Sequence, residues 1–119
     1  MALVENLSDW RGHNVVDQDG NRIGRLEDIY VDTTTDKPSF AAVRVGMVGR
    51  HRITFVPLDG CSVAPSYLRV RHSRKTVKDA PTIEQESELP VELEAEIFRH
   101  YELPYSQVGA QGGRRLARR

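Results

Sequence analysis

The pair Asp19-Gly20, between two short strand-like segments, is the feature that most restricts how this chain folds. Glycine accepts a positive φ angle without a Cβ clash, and aspartate tolerates such a turn, so this pair is a strong local indication of a β-hairpin. Gly24 lies inside the second segment, where a glycine usually marks a bulge or a close backbone approach. The spacing of the apolar residues after it indicates a bulge near Glu27-Asp28. Residues 14–31 are thus predicted to form a long, bent hairpin, as a corner of a small closed sheet requires.

Four further short segments favour β-strands, and turn residues separate them. They are residues 40–45, 51–56, 61–64 and 67–71. Alternation of apolar and polar residues predicts that 51–56 is a half-buried strand, which Pro57 ends. The polar segment 33–38 is predicted to be a loop, because Pro38 cannot serve a central hydrogen-bond ladder. Five or six short strands at spacings of roughly ten residues indicate a mainly β fold, either a small barrel or a sandwich.

Helical signals follow these strands. Ser73 is predicted to cap a single helical turn, and the segment ending at Pro81 stops it. Residues 82–105 are predicted to form an acidic linker and an amphipathic helix that begins near Pro90. Its apolar residues define what we call the apolar stripe: Leu89, Leu93, Ile97, Phe98 and Tyr101. Residues 106–119, rich in glycine and arginine, have too little apolar content to fold alone and are predicted to be a flexible tail after the β domain (1–81) and the helix.

The net charge of the chain is zero, but its charges lie in blocks of alternating sign. Residues 1–43 carry −4, 44–78 carry +7, 79–102 carry −7 and 103–119 carry +4. Such blocks favour self-complementary surfaces, although merely solvated faces produce the same pattern. The apolar stripe is large for a small barrel to cover, so the helix is expected to pack on its own barrel or, preferentially, on a second copy in a homodimer. The +7 and −7 blocks would then meet within the chain or across a two-fold axis.

The +7 block contains six arginines that we group as the basic face. They are Arg44, Arg50, Arg52, Arg69, Arg71 and Arg74. Phosphate binding requires a basic face, but we do not expect aromatic side chains to provide a stacking platform for bases between these arginines. The GxxG motif at 46–49 is flanked by strand-like segments rather than by the helices of a KH domain, so a plain hairpin loop is the better interpretation. Nucleic acid is therefore an alternative partner, behind a protein partner.

No pattern in the sequence indicates catalysis, a bound metal or a cofactor. The four histidines have no metal-ligand spacing, and Cys61 has no second cysteine. A calcium loop centred on Gly20 would need ligands at Val15 and Leu26, which cannot bind a hard cation. The lone cysteine favours a reducing compartment, and no apolar run approaches the ~18–20 residues of a membrane span. We predict a cytoplasmic protein that is not an enzyme.

Three separated motifs resemble the PRC-barrel domain family. The run from Val15 to Asp32 is similar to the opening pattern of that family, Val56-Pro57-Leu58 to a strand end, and the segment ending in Asp79-Ala80-Pro81 to its closing segment. The resemblance covers residues 7–81 and implies a small β-barrel like stand-alone bacterial members, the cytoplasmic domain of the photosynthetic reaction-centre H subunit and the ribosome-maturation factor. The family is not known for a catalytic centre, and its members bind proteins and adapt assemblies. We expect in this sequence neither the membrane helix of the reaction-centre type nor the additional N-terminal domain of the ribosome-factor type.

The sequence therefore predicts a mainly β, PRC-like barrel of five to six strands with a C-terminal amphipathic α-helix. Its structural turn positions are expected at Asp19, Gly20, Gly24, Pro57 and Pro81. The predicted function is a non-enzymatic protein-interaction adaptor or scaffold that self-associates. The alternative is an RNA- or ribosome-associated module that uses the basic face and the arginine tail.

Overall fold

The computed structural model describes residues 7–47, 49–85, 87–105 and 114–118. Within them the chain forms a 3-10 helix, eight strands and two α-helices. In chain order these are the 3-10 helix Leu7–Trp10, β1 Asn14–Val16, β2 Arg22–Asp32, β3 Lys37–Val45, β4 Arg52–Pro57, β5 Ser62–Ala64, β6 Tyr67–Arg69, α1 Arg74–Lys78, β7 Thr82–Glu84, α2 Val91–His100 and β8 Leu116–Arg118. The mainly β fold with an amphipathic helix in the C-terminal part of the chain is confirmed, although the sheet has more strands than predicted and one of them follows the helix.

One sheet contains all eight strands, in the order β5-β6-β1-β2-β3-β4-β7, with β8 beside β2. The strands pair antiparallel except β1 and β6, which are parallel. The long strand β2 pairs with β3 along one edge and shares its other edge between two partners. β1 pairs with residues 22–25 of β2, and β8 pairs with residues 30–32. The fold is a small barrel-like sheet that does not close, because its end strands β5 and β7 do not pair within the described part of the chain.

The β1–β2 turn has the geometry that an Asp-Gly pair favours. Gly20 has a φ of 88°, and its N–H donates to the carbonyl oxygen of Asp17 at 3.0 Å. The backbone N–H of Asp19 donates to the carboxylate of Asp17 at 2.9 Å. The turn is therefore closed by one side chain and by one backbone carbonyl of the same residue.

Strand β2 approaches β3 closely at Gly24, the glycine that the sequence marks for a bulge or a close backbone approach. A Cβ atom at Gly24 would overlap the carbonyl oxygen of Arg44 and would lie 3.0 Å from a methyl carbon of Val43. Only glycine allows β2 to approach β3 this closely. Just beyond, the register of the two strands shifts between Leu26 and Asp28, and this confirms the predicted bulge.

Strand β3 is buried on both faces and separates two hydrophobic clusters. Phe40 and Ala42 belong to a cluster that includes residues of α2 and β8. Ala41 and Val43 belong to a second cluster, which includes residues of β1, β6 and α1. Successive side chains of a strand point to opposite faces, so the chain covers both sides of its central strands.

The prediction that 51–56 forms a half-buried strand is wrong. Every residue of β4 from Ile53 to Pro57 is buried. Thr54, which alternation assigns to the solvent face, donates its hydroxyl to the carbonyl oxygen of Val77 in α1 at 3.5 Å. The short helix α1 thus covers the face that the sequence pattern leaves open.

Proline positions differ from the prediction in one case. Pro38, predicted in a loop, lies in β3 opposite Val31. Strand β4 begins to pair with β3 only at Phe40, so Pro38 lies near the strand end, where a missing N–H is tolerated. Pro57 is the last residue of β4, and Pro81 connects α1 to β7.

Two strands lie where the sequence predicted none. Residues 82–84 of the predicted acidic linker form β7, where Ile83 pairs with Ile53 of β4. Residues 116–118 of the predicted flexible tail form β8 on β2, while 106–113 and 119 lie outside the described residues. The tail prediction is wrong for 114–118, because the fully buried Leu116 packs against the rest of the molecule rather than within its own segment. Both strands lie beyond residue 81 and belong to the same sheet as β1–β6.

Candidate interaction surface

Asp17 fixes the start of β2 to the start of α1. Its buried carboxylate accepts the backbone N–H groups of Asp19 at 2.9 Å, Asn21 at 2.8 Å and Arg74 at 3.0 Å. Burial by itself raises the pKa of Asp17, but these hydrogen bonds outweigh it and hold the pKa below its ordinary value. A charged carboxylate therefore sets the positions of Arg22 and Arg74, the first residues of β2 and α1.

Those two residues border a surface that we call the basic cleft. It consists of two adjoining depressions, of about 340 and 410 Å³, between the start of β2 and the end of β3. Pairing between these strands ends at Arg25 and Arg44, since β2 continues along β1 and β3 along β4. Five cationic side chains line the basic cleft: Arg22, Arg25, Arg44, Arg74 and Lys78.

No acidic residue of the described chain lines the basic cleft. Among the described residues, one ion pair touches the cleft, between Arg44 and Glu27 at 3.9 Å, and both side chains are about one-third exposed. Such pairs contribute about 0–1 kcal/mol. Arg22 donates to the neutral side-chain oxygen of Asn14 at 2.9 Å. The described part of the chain therefore leaves most of this positive charge available to an anionic partner.

The charge blocks meet in a different combination from the expected one. Among the described residues, no ion pair joins 44–78 with 79–102. Arg115 and Arg118, from the last basic block, pair instead with Asp32 and Asp28 of the first acidic block, at 2.9 and 3.9 Å. The +7 block keeps its excess charge at the surface.

An apolar component accompanies the charge of the basic cleft. Met47 is 77% exposed and is the one exposed large hydrophobic residue of the described chain. It lines the larger depression together with half-buried Ile23 and Val45 and with buried Val77. Methionine adapts its shape to irregular apolar partners. Among the described residues, no Phe, Tyr or Trp lines the cleft, and His51 is its one aromatic ring.

The structure places only part of the predicted basic face at this cleft. Arg44 and Arg74 line it. Arg50 is exposed in the β3–β4 connection, and Arg52 donates to the hydroxyl of Thr82 at 2.7 Å. These four arginines belong to β3, β4, α1 and the connection between β3 and β4.

The remaining two predicted arginines, like Arg50 and Arg52, do not line the cleft. Arg69 donates to the carbonyl oxygen of Gln18 at 3.1 Å, and Arg71 pairs with exposed Asp59 at 3.4 Å. Sequence reasoning missed Arg22, Arg25 and Lys78 as cleft residues. Arg22 and Arg25 were overlooked because residues 1–43 carry a net negative charge, although both lie in a segment that the sequence predicts to be a strand.

The apolar stripe packs inside the chain. Four of its members, Leu89, Ile97, Phe98 and Tyr101, are buried with exposures of 0–6%, and Leu93 is partly buried beside them. The hydroxyl of Tyr101 donates to the carbonyl oxygen of Phe55 at 2.7 Å. The preferred expectation of a seam between two copies along this stripe is therefore corrected: α2 packs on its own sheet, which β7 and β8 enlarge.

The cysteine and two of the histidines, which are reactive residue types, lie outside the basic cleft and pack against neighbouring residues. Cys61 is free and half-buried, and burial raises the pKa of its thiol. His72 and His100 pack against the ring of Tyr101, with centroids 4.7 and 4.9 Å apart. Among the described residues, no group of three His, Cys, Asp or Glu could hold a metal ion. The helices of the described residues are too short or too polar to span a lipid bilayer.

Comparison with known proteins identifies the family. A family model for the PRC-barrel domain matches residues 4–78, which include β1 to β6, α1 and all five cations of the basic cleft. A search of curated proteins found no match. Because the family model covers more than half of the sequence, this chain belongs to the PRC-barrel domain family.

Proposed function

We propose that this chain is a non-enzymatic protein-interaction adaptor or scaffold, and that its contact site is the basic cleft. The observation that carries the proposal is the combination, in one depression, of unneutralised cations and the exposed side chain of Met47. PRC-barrel domains often mediate protein interactions, and this supports binding rather than chemistry. The proposal includes self-association and the cytoplasmic location that the lone cysteine favours.

The partner that fits the basic cleft is an acidic protein segment carrying at least one apolar side chain. Its carboxylates would pair with the guanidinium groups of Arg22, Arg44 and Arg74, which favour planar, bidentate contacts. Its apolar side chain would cover Met47 and the half-buried floor of the larger depression. Complementary charge of this kind accelerates association and makes it sensitive to salt.

An RNA- or ribosome-associated module is the second candidate. Arginines outside the cleft favour it, since Arg50, Arg69 and Arg71 extend the positive charge beyond the depression itself. A phosphate backbone would use this wider surface, whereas an acidic peptide seated in the cleft would not. The two candidates therefore differ in which arginines matter.

Fluorescence anisotropy distinguishes them with two labelled probes, a short peptide of alternating glutamate and leucine and a uridine oligonucleotide of similar length. The double variant Arg22→Glu/Arg74→Glu should weaken peptide binding about tenfold or more. The matched control Arg69→Glu/Arg71→Glu makes the same change of charge outside the cleft and should bind the peptide like the wild type.

Three results would count against the proposal. Absence of peptide binding by the wild type would contradict it, and equal losses in both double variants would show that diffuse charge, not the cleft, is responsible. Tighter binding of the oligonucleotide, with a steep fall as salt rises, would favour the second candidate.

A further inference from the structure

Residues 114–118 are held along β2 in the way that a sheet edge holds an added strand. β8 pairs antiparallel with residues 30–32 of β2. Thr33 extends this pairing, because its N–H donates to the carbonyl oxygen of Arg115 and its hydroxyl to that of Arg114, both at 2.8 Å. Main-chain hydrogen bonds of this kind are how extended peptides bind to an exposed strand edge.

A buried carboxylate on α2 holds the other side of the segment. Glu94 is fully buried, and its oxygens accept the backbone N–H groups of Arg115 at 2.9 and 3.1 Å and of Leu116 at 3.0 Å. The hydroxyl of Tyr105 donates to the same carboxylate at 2.7 Å. Burial and this hydrogen bond raise the pKa of Tyr105 to about 12, so it remains a donor at neutral pH. The carboxylate of Glu94 thus accepts hydrogen bonds from residues 115 and 116 and from the hydroxyl of Tyr105.

Side-chain contacts make the site selective for the sequence Arg-Arg-Leu. Leu116 is fully buried in the cluster that contains Phe98. The guanidinium of Arg115 donates to Asp32 at 2.9 Å, both side chains being less than one-fifth exposed. Burial by itself raises the pKa of Asp32, but hydrogen bonds from Arg115 and Thr34 outweigh it and hold the pKa below its ordinary value. Arg114 donates to the carbonyl oxygen of Leu89 at 2.8 Å.

We propose that this site, which we call the β8 groove, also binds residues 114–118 of a second copy, so that two chains exchange these segments in a two-fold dimer. This deepens the self-association included in the proposed function and uses none of the residues of the basic cleft. Each contact of the groove is made to a segment joined to Tyr105 only through residues 106–113. Eight residues span up to about 26–29 Å when extended, so the exchange requires a neighbouring groove within that reach.

The balance between the monomer and the exchanged dimer follows from effective concentration. Both states make the same contacts in the groove, so the monomer is favoured only by the proximity of its own segment. A connection of eight residues provides an effective concentration on the order of 1 mM. The wild type should therefore exchange segments only near that concentration, and weakening the contact within one chain should shift the balance toward the dimer.

Reciprocal charge reversal at Arg115 and Asp32 isolates the exchange. A chain with Asp32→Arg opposes two arginines within its own groove, and a chain with Arg115→Asp opposes two aspartates. In an exchanged heterodimer of these chains, every groove contains one acid and one arginine. If each mismatch weakens segment binding about tenfold, the mixture should dimerise about a hundredfold more tightly than the wild type.

The measurement is sedimentation velocity on each full-length variant and on their equimolar mixture at about 50 μM, well below the effective concentration of the wild-type segment. We expect two monomers separately, a heterodimer on mixing, and a monomer for the double variant Asp32→Arg/Arg115→Asp, which restores the pair within one chain. A mixture of folded variants that stays monomeric overturns the inference. If a variant does not fold alone, refolding the two together must produce a folded heterodimer, and failure to do so overturns the inference equally. Either failure leaves peptide binding in the basic cleft, and hence the adaptor function, unaffected.

Discussion

Replacing Asp17 with asparagine is expected to lower the free energy of unfolding by about 2–4 kcal/mol. The amide keeps the volume of the carboxylate but has one oxygen in place of two. In the native structure, one carboxylate oxygen accepts the N–H groups of Asp19 and Asn21, and the other accepts that of Arg74. An asparagine that keeps the first two contacts turns its NH₂ group toward the third donor. An unpaired backbone donor costs about 1–3 kcal/mol, and loss of the charge weakens the contacts that remain.

The pH dependence of the stability difference between Asp17→Asn and the wild type gives a second, independent test. Because the pKa of Asp17 is lowered on folding, its contribution is complete above the unfolded pKa of about 4 and is lost as the pH falls through the folded pKa. Asparagine does not titrate, so the difference between variant and wild type should be large at neutral pH and should shrink in strong acid.

Urea unfolding followed by circular dichroism, at neutral pH and in acid, measures both effects. A loss of this size should also lower the melting temperature by about 10 °C. The control is Asp19→Asn, the same substitution at an exposed position of the same turn. The reasoning is refuted if Asp17→Asn unfolds within about 0.5 kcal/mol of the wild type at neutral pH, the range of ordinary surface substitutions.

Three further substitutions test other parts of the structure. Gly24→Val places a side chain against the carbonyl oxygen of Arg44 and should lower the melting temperature sharply or prevent folding, so an unchanged value would show that the close approach of β2 and β3 is wrong. Tyr101→Phe removes the hydrogen bond to the carbonyl oxygen of Phe55 and should cost about 1–2 kcal/mol in urea unfolding, whereas no loss would mean that this carbonyl finds another donor. Met47→Ser should leave the melting temperature unchanged and weaken binding of the glutamate-leucine peptide about threefold or more, and full affinity would remove Met47 from the contact site.

Local chemistry explains why much of the fold could be predicted. The positive φ of Gly20, the bulge after Leu26 and the cap at Ser73 each depend on a few neighbouring residues. The long-range question of what the apolar stripe packs against is different. It depended on strands that the sequence signal was too weak to reveal, since β7 and β8 have three residues each and derive their stability from partners far along the chain.

Glu94 is a residue that sequence reasoning could have identified. It lies three, four and seven positions before Ile97, Phe98 and Tyr101, and this spacing places it on the buried face of an α-helix. A carboxylate on such a face must be hydrogen-bonded. The sequence could not say that its donors are backbone N–H groups more than twenty residues away.

The basic cleft could not be predicted from spacing. Its arginines come from β2, β3 and α1, which the pairing of β2 with β3 and the carboxylate of Asp17 bring together. Counting charge by blocks of sequence placed Arg22 and Arg25 in an acidic region. The distribution of surface charge depends on the order and register of the strands, which a count of charges along the sequence does not capture.

Chemical-shift mapping by NMR tests most directly the central claim that the basic cleft binds an acidic protein segment. ¹⁵N-labelled protein is titrated with the glutamate-leucine peptide, and amide shifts are followed in all assigned residues. The account predicts that the largest shifts occur at Arg22, Arg44, Met47 and Arg74 and that they disappear in Arg22→Glu/Arg74→Glu. Shifts centred on Arg69 and Arg71, or an absence of shifts at saturating peptide, would contradict it.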